Sequence, residues 1–292
     1  MRVTDRQAFD AMNRQITNAR TDTMKAQEQA SSGLKVARPS DDPVAAAAAR
    51  RENARKVYAE SGARNTQAAT LSLETSESAL GDAFDLLGEA RARAVEGSSD
   101  SLNAENRRAL AIEVRRIRET MISTANTNID GKYVFAGYRD HDAPYAADGE
   151  FTGDESTREI EVMPNVRLKT SVSGPSVFGE AGSDAFKVLD DLAAALESND
   201  GAGARSAIGL LEQAQGRVSE QRSKVGAMMN SADMARNVSE RHALSATTEV
   251  GRLTEIDEFE AATNLLRARS ALDAAVAVAQ QIPVGSLVQQ SR

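Results

Sequence analysis

The sequence has no cysteine and no tryptophan, only four tyrosines and only six prolines in 292 residues. Without cysteine there is no disulfide framework and no thiolate metal site. A chain that works outside the cell without disulfides must draw stability from another source, and packing into an assembly is one. No apolar run approaches the ~20 residues that a membrane-spanning helix needs. The opening Met1-Arg2-Val3-Thr4-Asp5-Arg6 is polar and continues amphipathically. It lacks the apolar stretch and small-residue cleavage site of a secretory signal. Cytoplasmic residence and export by a route that removes no signal are both open.

Histidine is almost as scarce. His141 lies among Asp140, Asp142 and Pro144, without a second ligand cluster and without the glycine of a calcium loop. His242 follows Arg241 with no partner four residues on, so no zinc-protease pattern forms. Gly201-Ala202-Gly203-Ala204-Arg205-Ser206 lacks the third glycine and the preceding strand of a dinucleotide loop, and reads as a helix–helix turn. No phosphate-binding loop and no nucleophile elbow is present. We therefore expect no enzyme, no cofactor and no metal.

The net charge of −8 is unevenly spread. Residues 130–200 hold 15 Asp or Glu against 6 Lys or Arg, a local sum of −9, which leaves the remainder at +1. No concentrated basic stripe marks a nucleic-acid surface. The acidic middle reads as solvated, and the near-neutral ends as the parts that pack against protein.

What is present is helical periodicity. Phe9, Met12, Ile16, Ala19, Thr23, Ala26 and Ala30 step by threes and fours, a heptad seam over three heptads. Leu265, Ala268, Leu272, Ala275, Ala279 and Ile282 repeat it near the other end. Further seams run through Ala69, Leu73, Ser76, Leu80, Ala83, Leu87, Ala90 and Ala94, then Leu110, Val114, Ile117 and Met121, with Leu211, Val218 and Val225 at seven-residue intervals later. Pro39-Ser40-Asp41-Asp42-Pro43 interrupts the first helix. There Asp42 can cap the next helix with Pro43 at its first position. Gly97-Ser98-Ser99-Asp100 and Asp130-Gly131 read as the ends of the two helices that follow. From Lys132 to about Ser183 the pattern turns to β-formers, as in Lys132–Phe135, Arg158–Val162 and Val166–Val172. Helix resumes near Asp184.

The expected fold is mainly α with an inserted β domain: a long antiparallel helical rod, terminal coiled-coil helices and a small, outer, β-rich domain. The expected divisions are a terminal coiled-coil assembly domain (1–38 with 253–292), a rod (39–131 with 184–252) and an outer domain (132–183). The outer domain is expected to be peripheral and removable. The terminal seams use small residues, so an isolated pair is marginal in water. We expect Phe9, Met12, Ile16, Leu265, Leu272 and Ile282 to form an assembly interface. An ordinary Ala-rich bundle with frayed ends fits the periodicity equally well.

The segment Ser31–Ala47, SSGLKVARPSDDPVAAA, resembles the amino-terminal signature of the flagellin superfamily. Its Arg38-Pro39-Ser40-Asp41-Asp42-Pro43 form is similar to that of the hook-associated protein 3 family, the hook–filament junction branch. Asp130–Gly137, DGKYVFAG, resembles that family's entry into its outer domain, and Gln221–Ala227, QRSKVGA, a returning-helix motif shared with flagellins. The resemblance implies a structural subunit that links hook to filament for motility. It implies that Ser32, Gly33, Arg38, Pro39, Ser40, Asp41, Asp42 and Pro43 form a hinge or signature loop. The implied partners are copies of itself in a ring, the other junction protein, flagellin and an export chaperone, with no nucleic acid and no membrane insertion. The implied location is the extracellular flagellum, reached by type III export without a cleaved signal peptide. The carboxyl end departs from the family pattern: Gln281-Ile282-Pro283-Val284-Gly285-Ser286-Leu287-Val288 is followed by Gln289-Gln290-Ser291-Arg292 and looks more like a flagellin end. A flagellin filament subunit is therefore the alternative, and a cytoplasmic coiled-coil adaptor a third reading.

Overall fold

The computed structural model describes residues 2–163, 166–180 and 184–281. Among the described residues seven helices and four short strands follow in the order α1 (Arg2–Ser32), α2 (Pro43–Gly97), α3 (Ala104–Ala125), β1 (Asn128–Ile129), β2 (Lys132–Tyr133), β3 (Glu159–Met163), β4 (Val166–Lys169), α4 (Gly174–Phe178), α5 (Ala185–Glu197), α6 (Gly201–Thr254) and α7 (Glu258–Gln281). The chain divides into two compact units. One takes residues 1–57 and 243–292, the other residues 58–242.

The second unit holds the large-residue core. Every member of the α2 seam from Ala69 to Ala94 is buried, Leu73, Leu80 and Leu87 completely. Leu211, Val218 and Val225 of α6 are buried completely too. Within this unit α2 and α6 run antiparallel. Arg222 Nη2 lies 2.6 Å from Glu77 Oε1, and Gln215 Nε2 donates to the Phe84 carbonyl. The seam of α3, from Leu110 to Met121, faces the same core, and Phe186, Leu189, Leu192 and Leu196 of α5 meet it. Caps fix where these helices begin. Asn103 and Asp184 accept from the backbone N–H three residues on, which satisfies one of the donors that a helix start leaves open. Arg107 is a buried cation that donates to the carbonyls of Gly97 and Ser99 and to Asn199 Oδ1. It thereby ties the α2–α3 turn to the α5–α6 turn, and charge-assisted bonds offset its burial.

Two sequence expectations change here. Asp130-Gly131 does not end a helix: α3 stops at Ala125, and β1 and β2 pair as a hairpin across that dipeptide. Asp130 and Gly131 have φ of 51° and 76°, the double positive φ that a two-residue I′ turn demands and that Asp-Gly tolerates. The dipeptide is a hairpin signal rather than a helix stop.

The β residues also do not stand apart. Val134, Phe135, Val172, Val177 and Phe178 belong to the same buried cluster as α2, α3 and α5. Phe178 packs edge-on against Phe135 at 5.6 Å and Tyr145 at 5.4 Å, and against Phe186 of α5 at 5.3 Å. The β3–β4 hairpin buries Val162, and Glu161 on β3 meets the Tyr58 hydroxyl of α2 at 3.4 Å. The acidic, turn-rich composition of the segment conceals a few aromatic anchors that complete the helical core.

Candidate functional site

The residues singled out from sequence fall in the first unit. There α1 and α7 pack with opposite chain directions, the end of α1 meeting the start of α7. Ala26 and Ala261 are buried at 6% and 4% exposure, near that meeting point. The Thr23 hydroxyl donates to Ala19 O at 2.7 Å within α1 and lies 3.2 Å from Ala268 O of α7. Only small residues allow backbones this close. Further along, the seam opens. Met12 and Ile16 of α1 are half-buried, as are Leu265 and Leu272 of α7, while Phe9 is 48% exposed. Ala30, expected in the seam, is exposed, and Gln29 takes the half-buried position. The 3.6-residue turn has drifted off a strict seven-residue repeat. Ile282 lies outside the described residues, as does the departing carboxyl end 282–292.

The signature loop, residues 33–42, closes the junction between α1, α6 and α7. Gly33 adopts φ +70°, and its N–H donates to Gln29 O at 2.9 Å, a left-handed stop for α1. Leu34 forms an antiparallel bridge with Glu255. Around it, Lys35 N donates to Thr254 O at 2.8 Å and Ile256 N to Gly33 O at 2.9 Å. The Lys35 ammonium reaches Arg252 O at 2.9 Å. A cation on the last carbonyls of a helix suits both their open acceptors and the negative end of its dipole. The loop thus caps the end of α6.

Ser32 ends α1, and its hydroxyl accepts from Leu34 N. Arg38 N donates to Asp41 Oδ2 and Asp41 N to Arg38 O, both at 2.9 Å, which closes a tight turn over the exposed Pro39 and Ser40. Lys25 of α1 lies 3.5 Å from Asp41, and Arg38 lies 3.0 Å from Glu28. The Arg38 N–H, the largest influence, holds the Asp41 carboxyl below the usual aspartate range; burial opposes it, and Lys25 adds to the lowering. Asp42 Oδ1 accepts from Val44 N and Ala45 N at 2.9 Å, with Pro43 at the first helical position of α2. On the facing chain Asp257 caps α7 through Phe259 N at 2.9 Å and Glu260 N at 3.2 Å.

The structure therefore gathers Ser32, Gly33, Arg38, Asp41, Asp42 and Pro43 into one clasp, with Pro39 and Ser40 at its outer turn. Phe9, Met12 and Ile16 lie along α1 instead, and Leu265 and Leu272 along α7. Sequence reasoning missed Lys35 and its partner stretch Arg252–Asp257. The signal was Asp257 followed by Glu258 and Glu260, an acidic helix start before an apolar run.

Among the described residues no group of three or more His, Asp or Glu could hold a metal ion, and no helix is long and apolar enough to cross a membrane. His141 is exposed, 3.7 Å from Asp140, whose other oxygen is held by Arg158 at 2.7 Å.

Comparison with known proteins gives the geometry a context. Residues 4–140 match the bacterial flagellin N-terminal helical region. Along its whole length the chain is 25% identical to flagellar hook-associated protein 3 of Escherichia coli, with all of both chains covered. The fold is that of solved hook-associated protein 3 structures. The Legionella pneumophila chain superposes with a TM-score of 0.63 at 15% identity, covering 70% of this chain and 98% of that one. Xanthomonas campestris FlgL gives 0.60 at 20% identity, covering 70% and 99%.

Proposed function

We infer from the flagellin-type N-terminal region and the end-to-end likeness to hook-associated protein 3 that this chain is a structural subunit of the bacterial flagellum, placed at the hook–filament junction. It has no catalytic role. Its partners are copies of itself on one side and the adjoining junction protein and flagellin on the other. It works outside the cell, exported with a chaperone's help.

The observation that carries this reading is the half-open seam of α1 and α7. Phe9 at 48%, Met24 at 64%, Phe259 at 86%, Leu266 at 66% and Val278 at 56% exposure are large apolar groups that the pair leaves uncovered. A helical pair with so much apolar surface is a surface awaiting partners. Phe9, Met12, Ile16, Leu265 and Leu272 are its assembly residues, and the clasp at 33–42 sets the angle at which α1 leaves α2. Immunogold labelling of intact flagella tests the reading. A single label at the hook end is expected. Label along the filament would make the chain a flagellin, and label confined to the cell body would make it a cytoplasmic adaptor.

A further inference from the structure

The two edges of the β3–β4 hairpin meet the helices of this unit differently. The register sets Ile160 opposite Leu168, and Glu159 and Glu161 opposite Lys169 and Arg167. Apolar positions therefore share one face, and opposite charges face each other across the other. Val162 is the one buried residue among those described on these strands. Its carbonyl oxygen rests on Gly62 of α2, where a Cβ would collide with it. Ser239 of α6 reaches the same point, its Oγ 3.3 Å from where that Cβ would stand. The Ser239 hydroxyl is fully buried and has no hydrogen-bond partner among the described residues. On β4, Leu168 is only half-buried and faces Ala227, Met228 and Ser231 of α6 across a groove of about 310 Å³. One edge of the hairpin is thus seated and the other stands off.

The base of the hairpin is firmer. Thr170 N donates to Arg158 O and Arg158 N to Ser171 Oγ, each at 2.8 Å, and the Arg158 guanidinium lies 2.7 Å from Asp140. Thr170 and Ser171 are buried. A fixed base and an arm with little buried apolar surface make a hinged strap. The helices beneath the arm pack through small groups. Among the described residues, the side chains buried over 58–70 of α2 and 232–242 of α6 are Ala59, Thr66, Ala69, Ala232, Ala235 and Ser239, none larger than threonine. Further along the same pair, Leu80 and Leu87 meet Leu211 and Val218 in the core.

We propose that the β3–β4 hairpin is a strap that lifts as a unit from Gly62, and that its seating holds α2 and α6 together over 58–70 and 232–242. Lifting exposes Val162, which opposes the motion. It also lets water reach the Ser239 hydroxyl, which offsets part of that cost. The strap is closed at rest and opens before the core does. Phe135 and Phe178 do not move with it, because they belong to the buried cluster with α3 and α5. The strap is a property of the single chain and does not depend on the flagellar reading.

Gly62→Ala in the full-length chain tests the seat. Alanine favours helix over glycine, so α2 is not weakened, while the new Cβ denies the Val162 carbonyl its place. Hydrogen exchange read by mass spectrometry should quicken about tenfold over β3 and β4 and over 58–70 and 232–242. Residues 80–94 and 211–225 should keep the wild-type rate, which also shows that the variant folds. Val162→Asp unseats the strap from its own side with α2 unaltered, and should give the same map. A hairpin that stays protected in Gly62→Ala overturns the seat. A hairpin released while 58–70 and 232–242 keep their protection overturns the strap's hold on the helices. Quickening that spreads through 80–94 and 211–225 in both variants makes the hairpin part of one core and overturns its lifting as a unit.

Discussion

Residues 58–242 and the paired segments 1–57 and 243–292 are both helical, yet they bury different things. The largest fully buried side chains, among them Phe135, Phe178, Phe186, Leu73, Leu80 and Ile117, all belong to the first stretch. Among the described residues of the paired segments the buried apolar ones are Ala26, Val36, Ala49, Ala246 and Ala261, and Phe259 and Val44 stand 86% and 79% exposed. Burying a Leu or Phe stabilises by roughly 1.5–3 kcal/mol, and an Ala by far less. One region is thus a self-sufficient core. The other is a set of smooth, closely approaching helices whose large apolar groups face outward. The same periodicity that builds a closed core in one region leaves large apolar groups such as Phe259 and Leu266 uncovered in the other.

The sharpest way to break that contrast is in the core. Phe178 is fully buried and touches three other rings. Phe178→Ala should cost about 3–5 kcal/mol through lost burial and the cavity left behind. For a region of this size that lowers Tm by roughly 10 °C, read by calorimetry. A much smaller shift would show that the segment around α4 is peripheral after all, as its composition suggests.

Leu272→Asp probes the other side. Leu272 is half-buried on the α7 seam. A carboxylate covered by neighbouring subunits without a partner costs several kcal/mol, more than an Ala-rich seam supplies. The free monomer should melt as the wild type does, because the core lies in residues 58–242, while assembly fails. A lowered monomer Tm would place Leu272 in a core of its own.

The helical seams were legible because heptads of Leu and Ala persist over many turns, as from Leu73 to Ala94. The β segment was legible only as a change of period. Phe135, Tyr145 and Phe178 are isolated aromatics among polar residues, and nothing local says that they reach α5. The clasp was half legible. Prolines and adjacent acids announce a break, and Asp42 before Pro43 announces a cap. Lys35 on Arg252 O joins residues 217 apart in sequence, a pairing that no local pattern encodes.

The clasp itself should respond more weakly. Lys35→Met removes the cap on α6 and one charge-assisted bond at an exposed site, about 1 kcal/mol at most. Amide exchange at Lys35, Val36 and Ile256, whose N–H groups close the bridge, should quicken without a change in the main melt. The clasp also has a pH sign. The Asp41 carboxyl lies below the ordinary aspartate range, so its contribution is complete above that range and is lost as pH falls through the lowered value. Asp41→Asn should remove this acid sensitivity. Exchange that keeps the same acid dependence in the variant would assign it to another carboxylate.

The smallest expected effect is at Tyr145, and its sign is what matters. The ring is 3% exposed, and its centroid lies 4.9 Å from Phe186 and 5.2 Å from Phe151. Its backbone is fixed by Asn126, whose Nδ2 donates to Tyr145 O at 2.8 Å and whose Oδ1 accepts from Tyr145 N at 3.0 Å. The ring cannot swing out, and its buried hydroxyl has no hydrogen-bond partner among the described residues. Burial, and then the Asp184 carboxylate, push the phenol's pKa far above its usual value, so the group stays neutral at any working pH. A neutral hydroxyl buried without a partner is a cost that Phe does not carry, while Phe keeps every ring contact. Tyr145→Phe should therefore leave Tm unchanged or raise it, by about 0–1 kcal/mol. A loss of ~1 kcal/mol or more would mean that an ordered water bridges the hydroxyl to a second polar group, and the aromatic cluster that joins the β segment to α5 would then be held by a polar contact as well as by packing.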